Sequence, residues 1–306
     1  YQEIVERGQR HRIGEYYTPE WLTELTLLEA IKLWKEKNQR FPRILDPACG
    51  SGTFLCNAIH ILKKELEKRK EKPVKILDFI IGSVVGVDIN PLAVTIARAN
   101  YLMALGDLVH LGKPIIIPVY VADSIKPPQV TRTFNNVEVY DIAVEVEGKS
   151  HHIQIPVSVA GKGELLSRVI NGLKLAVSVY RERKNRKEAL EVFKKRCPSL
   201  SKEELDLLVI TLNTIFTLID KRYDAIWAYM LSNIYAPIAL MQSKFDLIVG
   251  NPPWIAMMYI ENKSYQEFVK QQVLAYELLN ANQVHLFANM EMATLFFCRV
   301  NDLYLK

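Results

Sequence analysis

The sequence predicts a doubly wound α/β fold built on a parallel sheet and interrupted by an insertion of mixed strand and helix. Three observations predict it. Short buried-strand patterns alternate with helical periodicity from residue 44 to residue 122, as in successive right-handed βα steps. A turn rich in small residues joins the first strand to its helix. A further apolar strand pattern, Phe245–Val249, returns only after a segment, 126–244, whose elements do not alternate as βα.

The elements follow in order. Thr18-Pro19-Glu20 predicts a helix opening, with a hydroxyl at the cap, proline at the first helical position and an acid at the positive dipole end. Trp21, Leu22, Leu25, Leu28 and Ile31 are its expected buried stripe. Ile44-Leu45 reads as a strand, residues 48–52 as a tight turn and 53–69 as a helix. Residues 83–88 form the next strand, Asn90-Pro91 opens a helix through Ala104, and Ile115–Ala122 is a third strand. Within 133–159, β-branched residues alternate in part around a hairpin turn at Glu147-Gly148-Lys149. From about 163 to 242 the pattern is helical, with Cys197-Pro198 as a stop. After the strand at 245–249, residues 264–280 and 282–301 read as two helices. The expected domains are therefore 1–125 with 245–306, and 126–244.

Composition narrows the class. Of 306 residues, 49% are hydrophobic and 24% charged, which excludes disordered, collagenous and low-complexity chains. Asp78 and Asp88 interrupt the most apolar stretch, so no unbroken run reaches the roughly 18 residues of a membrane span. With no charged-then-apolar leader in view, the expectation is a soluble cytoplasmic protein without a membrane partner. Cys49, Cys56, Cys197 and Cys298 make no C-x-x-C pair and no metal-ligand spacing with the six histidines, so no metal is expected. The net charge is +5, and residues 126–244 hold all of the excess, 18 Lys and Arg against 13 Asp and Glu. Within them the run Arg181–Arg196 carries eight basic and three acidic residues, either a solvated helix face or a surface that tracks phosphates or docks a partner.

Two constellations carry chemistry. The first is Asp46-Pro47-Ala48-Cys49-Gly50-Ser51-Gly52, between a strand end and a helix start, where small residues let the backbone approach a ligand and free N–H groups await one. Asp88 and Asp123 end the next two strands, so three carboxylates face one crevice. Acids there repel a pyrophosphate and suit a nucleoside without phosphate. The second is Asn251-Pro252-Pro253-Trp254, directly after the fourth strand: two carbonyl oxygens on a stiff turn and a flat ring, able to hold an exocyclic amine and stack on its base.

Together with Gly14-Glu15-Tyr16-Tyr17-Thr18-Pro19, the Asp88-Ile89-Asn90-Pro91 stretch and Ala122-Asp123-Ser124, these motifs resemble those of the N6-adenine DNA methyltransferases, in particular those of type I and type IIG restriction-modification systems. The resemblance covers 14–125 and 245 to about 300. It implies a Rossmann-like sheet that uses S-adenosyl-L-methionine, with Tyr16, Tyr17, Thr18, Pro19, Asp46, Pro47, Ala48, Cys49, Gly50, Ser51, Gly52 and Phe54 around the methionine part. It further implies Asp88 and Ile89 at the ribose, Asp123 and Ser124 at the adenine, Asn251, Pro252 and Pro253 at the target amine, and Trp254 stacked on the flipped base. The implied partner is double-stranded DNA with one base extruded, together with a restriction or specificity subunit or a fused domain. Cys49 is expected to pack rather than attack, and His151, His152 and His285 to be ordinary polar residues.

The chain departs from the pattern through the insertion and by ending at Lys306, which leaves the 245–249 strand at or near a sheet edge. A truncated catalytic domain without its target-recognition region is the expectation. Competing readings are an amino-group methyltransferase acting on RNA or on protein glutamine, and a binding module for cofactor or nucleic acid without turnover.

Overall fold

The computed structural model describes residues 18–112, 114–133, 136–160, 162–221, 238, 240–242 and 244–306. The chain divides into two compact units, one holding the described residues up to Ile125 together with Lys244–Lys306, the other Lys126–Ser243.

In the first unit the order is α1 (Glu20–Lys37), β1 (Ile44–Asp46), α2 (Thr53–Lys68), α3 (Pro73–Ser83), β2 (Val84–Asp88), α4 (Pro91–Leu105), a 3₁₀ turn (Gly106–Leu111) and β3 (Val119–Val121). The second unit contributes β4 (Gln129–Arg132), β5 (Glu138–Val146), β6 (Lys149–Pro156), a helical turn (Val157–Ala160), α5 (Gly163–Arg183), α6 (Arg186–Arg196) and α7 (Lys202–Asp220). The chain then returns to the first unit with β7 (Leu247–Ile248), α8 (Lys263–Ala275), a 3₁₀ segment (Ala281–Asn289) and α9 (Met292–Tyr304). The first sheet runs β3-β2-β1-β7, and its three pairings are all parallel. This is the doubly wound α/β class that the alternating pattern predicts. Parallel strands put all their carboxyl ends on one edge, so the loops after β1, β2, β3 and β7 emerge together.

The core of this unit is apolar on both sides of the strands. Ile44, Val84 and Val119 are fully buried, and Leu55, Ala58 and Ile59 of α2 pack with them. Gly86, in the middle of β2, lies so near α2 that a Cβ there would sit 2.6 Å from Leu55 Cδ1. Pro91–Leu111 is long and apolar enough by composition to cross a membrane, although the sequence shows no unbroken apolar run. In this fold it packs on the sheet, with Ala93, Val94, Ala97 and Tyr101 buried in the core.

Several expectations change. Helix α1 begins at Glu20, so Pro19 rather than Thr18 stands at the cap, and its carbonyl receives the N–H groups of Leu22 and Thr23. The buried face of α1 is Thr23, Leu27 and Ile31, whereas Trp21, Leu22, Leu25 and Leu28 of the expected stripe are exposed. A polar contact sets this rotation: Asn57 Nδ2 of α2 donates to Thr23 Oγ1 at 2.5 Å, and both side chains are buried. Residues 73–82, where no element was expected, form α3 together with Ser83, the expected first residue of the next strand; Pro73 opens it at its first position and Ile76, Leu77 and Ile80 are buried. Strand β3 is shorter than 115–122: Pro118 has no N–H to give the ladder, although its carbonyl accepts from Gly86 N at 3.0 Å, and the strand proper begins at Val119. The helix expected over 282–301 is broken at Met290–Glu291, whose backbone is spent elsewhere: Met290 O accepts from Met257 N, and Ala256 bridges Glu291.

The second unit has its own sheet and core. Its antiparallel sheet runs β4-β5-β6. The β5–β6 hairpin turns on Glu147 and Gly148 alone, both with positive φ (52° and 71°), so Lys149 already belongs to β6. Helix α7 docks on β6 through Thr211, whose hydroxyl donates to Gln154 O at 2.8 Å and accepts from Gln154 N at 3.1 Å. Cys197 is the C-cap of α6, where the sequence places a stop. The helical expectation over 222–237 lies outside the described residues. Half of the basic run is internally paired: Arg183 with Glu188, Arg186 and Lys184 with Asp220, Lys194 with Glu191. Arg181, Lys187, Lys195 and Arg196 are exposed, with no acidic partner among the described residues.

Candidate active site

The site is built from the carboxyl edge of the parallel sheet. Asp46 is the last residue of β1 and is buried, at 1% exposure. Its Oδ1 accepts from Ala48 N at 3.1 Å, which folds the chain into the turn that follows. Gly50 and Gly52 take positive φ there (51° and 89°), the region open to glycine, and α2 starts at once. Cys49 N is held by Val87 O at 2.9 Å, and Asn100 Nδ2 donates to Ser51 O at 2.9 Å, so the turn is pinned to β2 and α4.

Asp88 ends β2 beside this turn. Its Oδ2 accepts from Gly50 N and its Oδ1 from Asn90 N, each at 2.8 Å. One carboxylate thus ties the first loop to the second, while Asn90 caps α4 through Leu92 N. Ile89, next to Asp88, is exposed. Asp123 follows β3, with its Oδ1 accepting from Ile125 N at 3.0 Å. Ser124 is buried and donates to Pro47 O at 2.5 Å, so its hydroxyl joins the third loop to the first.

The loop after β7 closes the other side. Gly250 passes so near Asp46 that a Cβ on it would stand 2.5 Å from Asp46 Oδ1, so only glycine fits. Asn251, Pro252 and Pro253 are half-buried and Trp254 is 45% exposed. The Trp254 indole N–H donates to Asn251 Oδ1 at 2.8 Å, so the oxygen expected to meet a target amine already accepts one hydrogen bond. Beyond it, Met292 N donates to Ile255 O and Met257 N to Met290 O, which anchors the far end of the loop on the start of α9.

Electrostatics follow from burial. Desolvation pushes the Asp46 carboxyl well above the usual range, Ala48 N–H opposes this, and the nearby Asp88 charge adds to it. Burial, with the Asp46 and Asp88 charges, likewise pushes the Cys49 thiol well up, so it is no thiolate nucleophile. Phe54 is buried in the core at the start of α2. Thr18 and Pro19 lead into α1, whose first turn meets α2 at Asn57. Tyr16 and Tyr17 lie outside the described residues. Among the described residues, no group of three or more His, Cys, Asp or Glu is placed to hold a metal ion.

Sequence reasoning missed the residues that hold these loops. Asp246, just before β7, is buried under Arg40 (2.6 and 2.8 Å), Arg43 N (2.8 Å) and Lys306 Nζ (2.7 Å). Tyr304 donates to Ser124 O at 2.9 Å, and Arg299 Nε to Ile125 O at 3.0 Å. An aspartate inside an apolar strand pattern is a signal available in the sequence, but its partners lie 60 residues (Lys306) to 206 residues (Arg40) away.

A parallel sheet with helices packed on it, whose strand-end loops emerge on one edge, fits a Rossmann-like methyltransferase fold. The chain matches the family model described as Eco57I restriction-modification methylase over residues 82–303 and the one described as N-6 DNA Methylase over residues 5–140. It belongs to the Eco57I restriction-modification methylase family. It is also similar to a protein of Methanocaldococcus jannaschii named as a candidate type II restriction enzyme and methyltransferase, at 29% identity over 154 residues. That match covers 33% of this chain and 13% of the relative, so the chain spans only a small part of the relative's length.

Proposed function

We propose that this chain carries the catalytic core of a DNA methyltransferase that transfers the methyl group of S-adenosyl-L-methionine to the N6 amine of an adenine flipped out of the duplex. The observation that carries the reading is the close approach of two loops: Gly250 lies against Asp46, which brings Asn251–Trp254 to the edge of the acid-lined crevice. Family membership supports it as well.

The donor set fits the cofactor. Burial raises the cost of the Asp46 charge, a nearby cation offsets that cost, and Asp46 would receive the α-ammonium group. Asp88, at the end of β2 beside exposed Ile89, would take the ribose hydroxyls, and Asp123, after β3, the purine amine. The Gly50–Gly52 turn lets the methionine part lie against the backbone. When bound, S-adenosyl-L-methionine supplies an electrophilic methyl group, which the amine takes as the carbon–sulfur bond breaks.

The chain's residues prepare that amine. Its lone pair is delocalised into the ring, and acceptors on its two hydrogens draw the nitrogen toward tetrahedral geometry and free the pair. Asn251 Oδ1 and Pro252 O are those acceptors. The Trp254 N–H donates to Asn251 Oδ1 and so restrains the plane of the amide that would meet the target. Trp254, about half exposed, offers its ring to the extruded base. Positioning and preorganised dipoles account for the acceleration, and the protonated Cys49 takes no part.

The test is nucleoside analysis of DNA incubated with the protein and methyl-labelled S-adenosyl-L-methionine. Label is expected in N6-methyladenine and should fall at least ~100-fold in Asn251→Ala, the range for loss of an oriented electrostatic group. Label in N4-methylcytosine, or in an RNA or protein substrate instead, would overturn the assignment.

A further inference from the structure

We propose that Met258 and Tyr259, exposed on the turn just past the Asn-Pro-Pro-Trp loop, form a wedge that enters the base stack of duplex DNA and fills the gap left by the extruded adenine. The inference rests on the reading of the chain as a base-flipping DNA methyltransferase and adds to it two residues outside every motif discussed so far.

The turn is a rigid platform. Met257–Tyr259 is a single 3₁₀ turn, in which Tyr259 N donates to Ala256 O at 3.0 Å and Ile260 N to Met257 O at 3.2 Å. Met257 alone of the three turns into the core, and its backbone is held at both ends: its N–H by Met290 O at 2.9 Å, its carbonyl by Gln266 Nε2 of α8 at 3.2 Å. Ala256 bridges Glu291, and Met292 N donates to Ile255 O at 2.8 Å. The 3₁₀ segment Ala281–Asn289 packs against the same turn. Three elements after the target-side loop therefore fix where Met258 and Tyr259 stand.

What the platform presents outward is apolar. Met258 is 55% and Tyr259 62% exposed, and Leu286 on the packed 3₁₀ segment is exposed as well. Their place in the chain points to the partner. Met258 follows Trp254 by four residues, so their Cα atoms lie within about 14 Å of each other. At a rise of about 3.4 Å per base step, that keeps the turn within a few steps of the base that stacks on Trp254. Lys263, exposed at the start of α8 and without an acidic partner among the described residues, adds a cation for the flanking phosphates. Extrusion of a base opens a hole in the stack and forfeits its stacking and pairing. An apolar side chain inserted at that step recovers part of the loss, as methionine does by its pliable thioether and tyrosine by its flat ring. A wedge on a backbone already fixed loses little freedom on insertion.

The test is fluorescence anisotropy of a labelled mixed-sequence duplex, and of the same duplex with one abasic site, bound to the wild type, Tyr259→Ala and the double variant Met258→Ala/Tyr259→Ala. Thermal melting of each variant confirms the fold. In the abasic duplex the hole exists before binding, so a wedge is rewarded without the cost of opening it. The wild type should prefer the abasic duplex by about five- to tenfold, the lower part of the range for stacking one base on an aromatic side chain. The double variant should bring the ratio of the two affinities to within about twofold of one, with Tyr259→Ala between them. A preference kept by the double variant, as a merely structural role would leave it, or no preference in the wild type, overturns the inference. Transfer of labelled methyl groups to adenine N6 in DNA by the same wild type reports on the underlying reading separately, so that label without the abasic preference overturns the wedge alone. No label and no binding of either duplex by folded wild type would overturn both.

Discussion

Asp46 faces opposite demands in its two states. Without a ligand, its burial makes the charge costly and holds its carboxyl well above the ordinary range. With an ammonium group beside it, the charge is required. A group whose folded pKa is raised favours the folded state at low pH, and that contribution fades as pH rises from about 4 through the folded value. Asp46→Asn keeps an acceptor for Ala48 N and removes the buried charge. It should stabilise the ligand-free protein at neutral pH, read as a higher melting midpoint. It should weaken S-adenosyl-L-methionine by roughly tenfold or more, read by calorimetry. A destabilised Asn variant that still binds the cofactor would remove Asp46 from the site. Asp46 was a legible candidate because it ends an apolar strand before small residues. Its closeness to Gly250, some two hundred positions on, has no local signal.

At the scale of elements, the βα steps were readable because strand, turn and cap chemistry agree locally. Ile44–Asp46, the Gly-rich turn and Asn90-Pro91 each announce a boundary that the structure keeps. Rotation of a helix is less local. Leucines and tryptophan gave α1 an apolar stripe, yet the buried hydrogen bond between Asn57 and Thr23 turns a different face inward. The short β7 is fixed in a similar way, by Asp246 beneath Arg40, Arg43 and Lys306. Burial raises the Asp246 carboxyl, but these partners outweigh it and hold it far below the usual range. A depressed folded pKa gives stability that is full above about pH 4 and is lost as pH falls below that. Asp246→Asn should cost about 2 kcal/mol, less than a fully buried pair because Arg40 and Lys306 are each about half exposed. It should also flatten the acid limb of a stability-against-pH curve, measured by urea unfolding between about pH 2 and 6. An unchanged acid limb would mean that other carboxylates control it.

At the scale of the whole molecule, the break in βα alternation was legible as an interruption because the β-branched hairpin and the long helical run cannot continue a parallel sheet. Within Lys126–Ser243 the hairpin and the α6 stop emerged where turn chemistry indicated, whereas the state of the basic run depended on partners spread across the unit. Asp220, Glu188 and Glu191 neutralise part of that run, which leaves Arg181, Lys187, Lys195 and Arg196 as the cations available to phosphates. Replacing these four with glutamate should lower the salt dependence of DNA binding, by a slope of about 0.9 for each phosphate that the protein no longer neutralises. The same slope in the variant would show that the insertion does not hold DNA.

Calorimetric titration of S-adenosyl-L-methionine into the wild type and Asp88→Ala tests whether the acid-lined carboxyl edge of the sheet holds that ligand. Saturable binding by the wild type and its loss in the variant are expected, because Asp88 orders the Gly50 turn and is the residue proposed to take the ribose hydroxyls. Equal binding by the two proteins, or none by a folded wild type, would contradict that assignment.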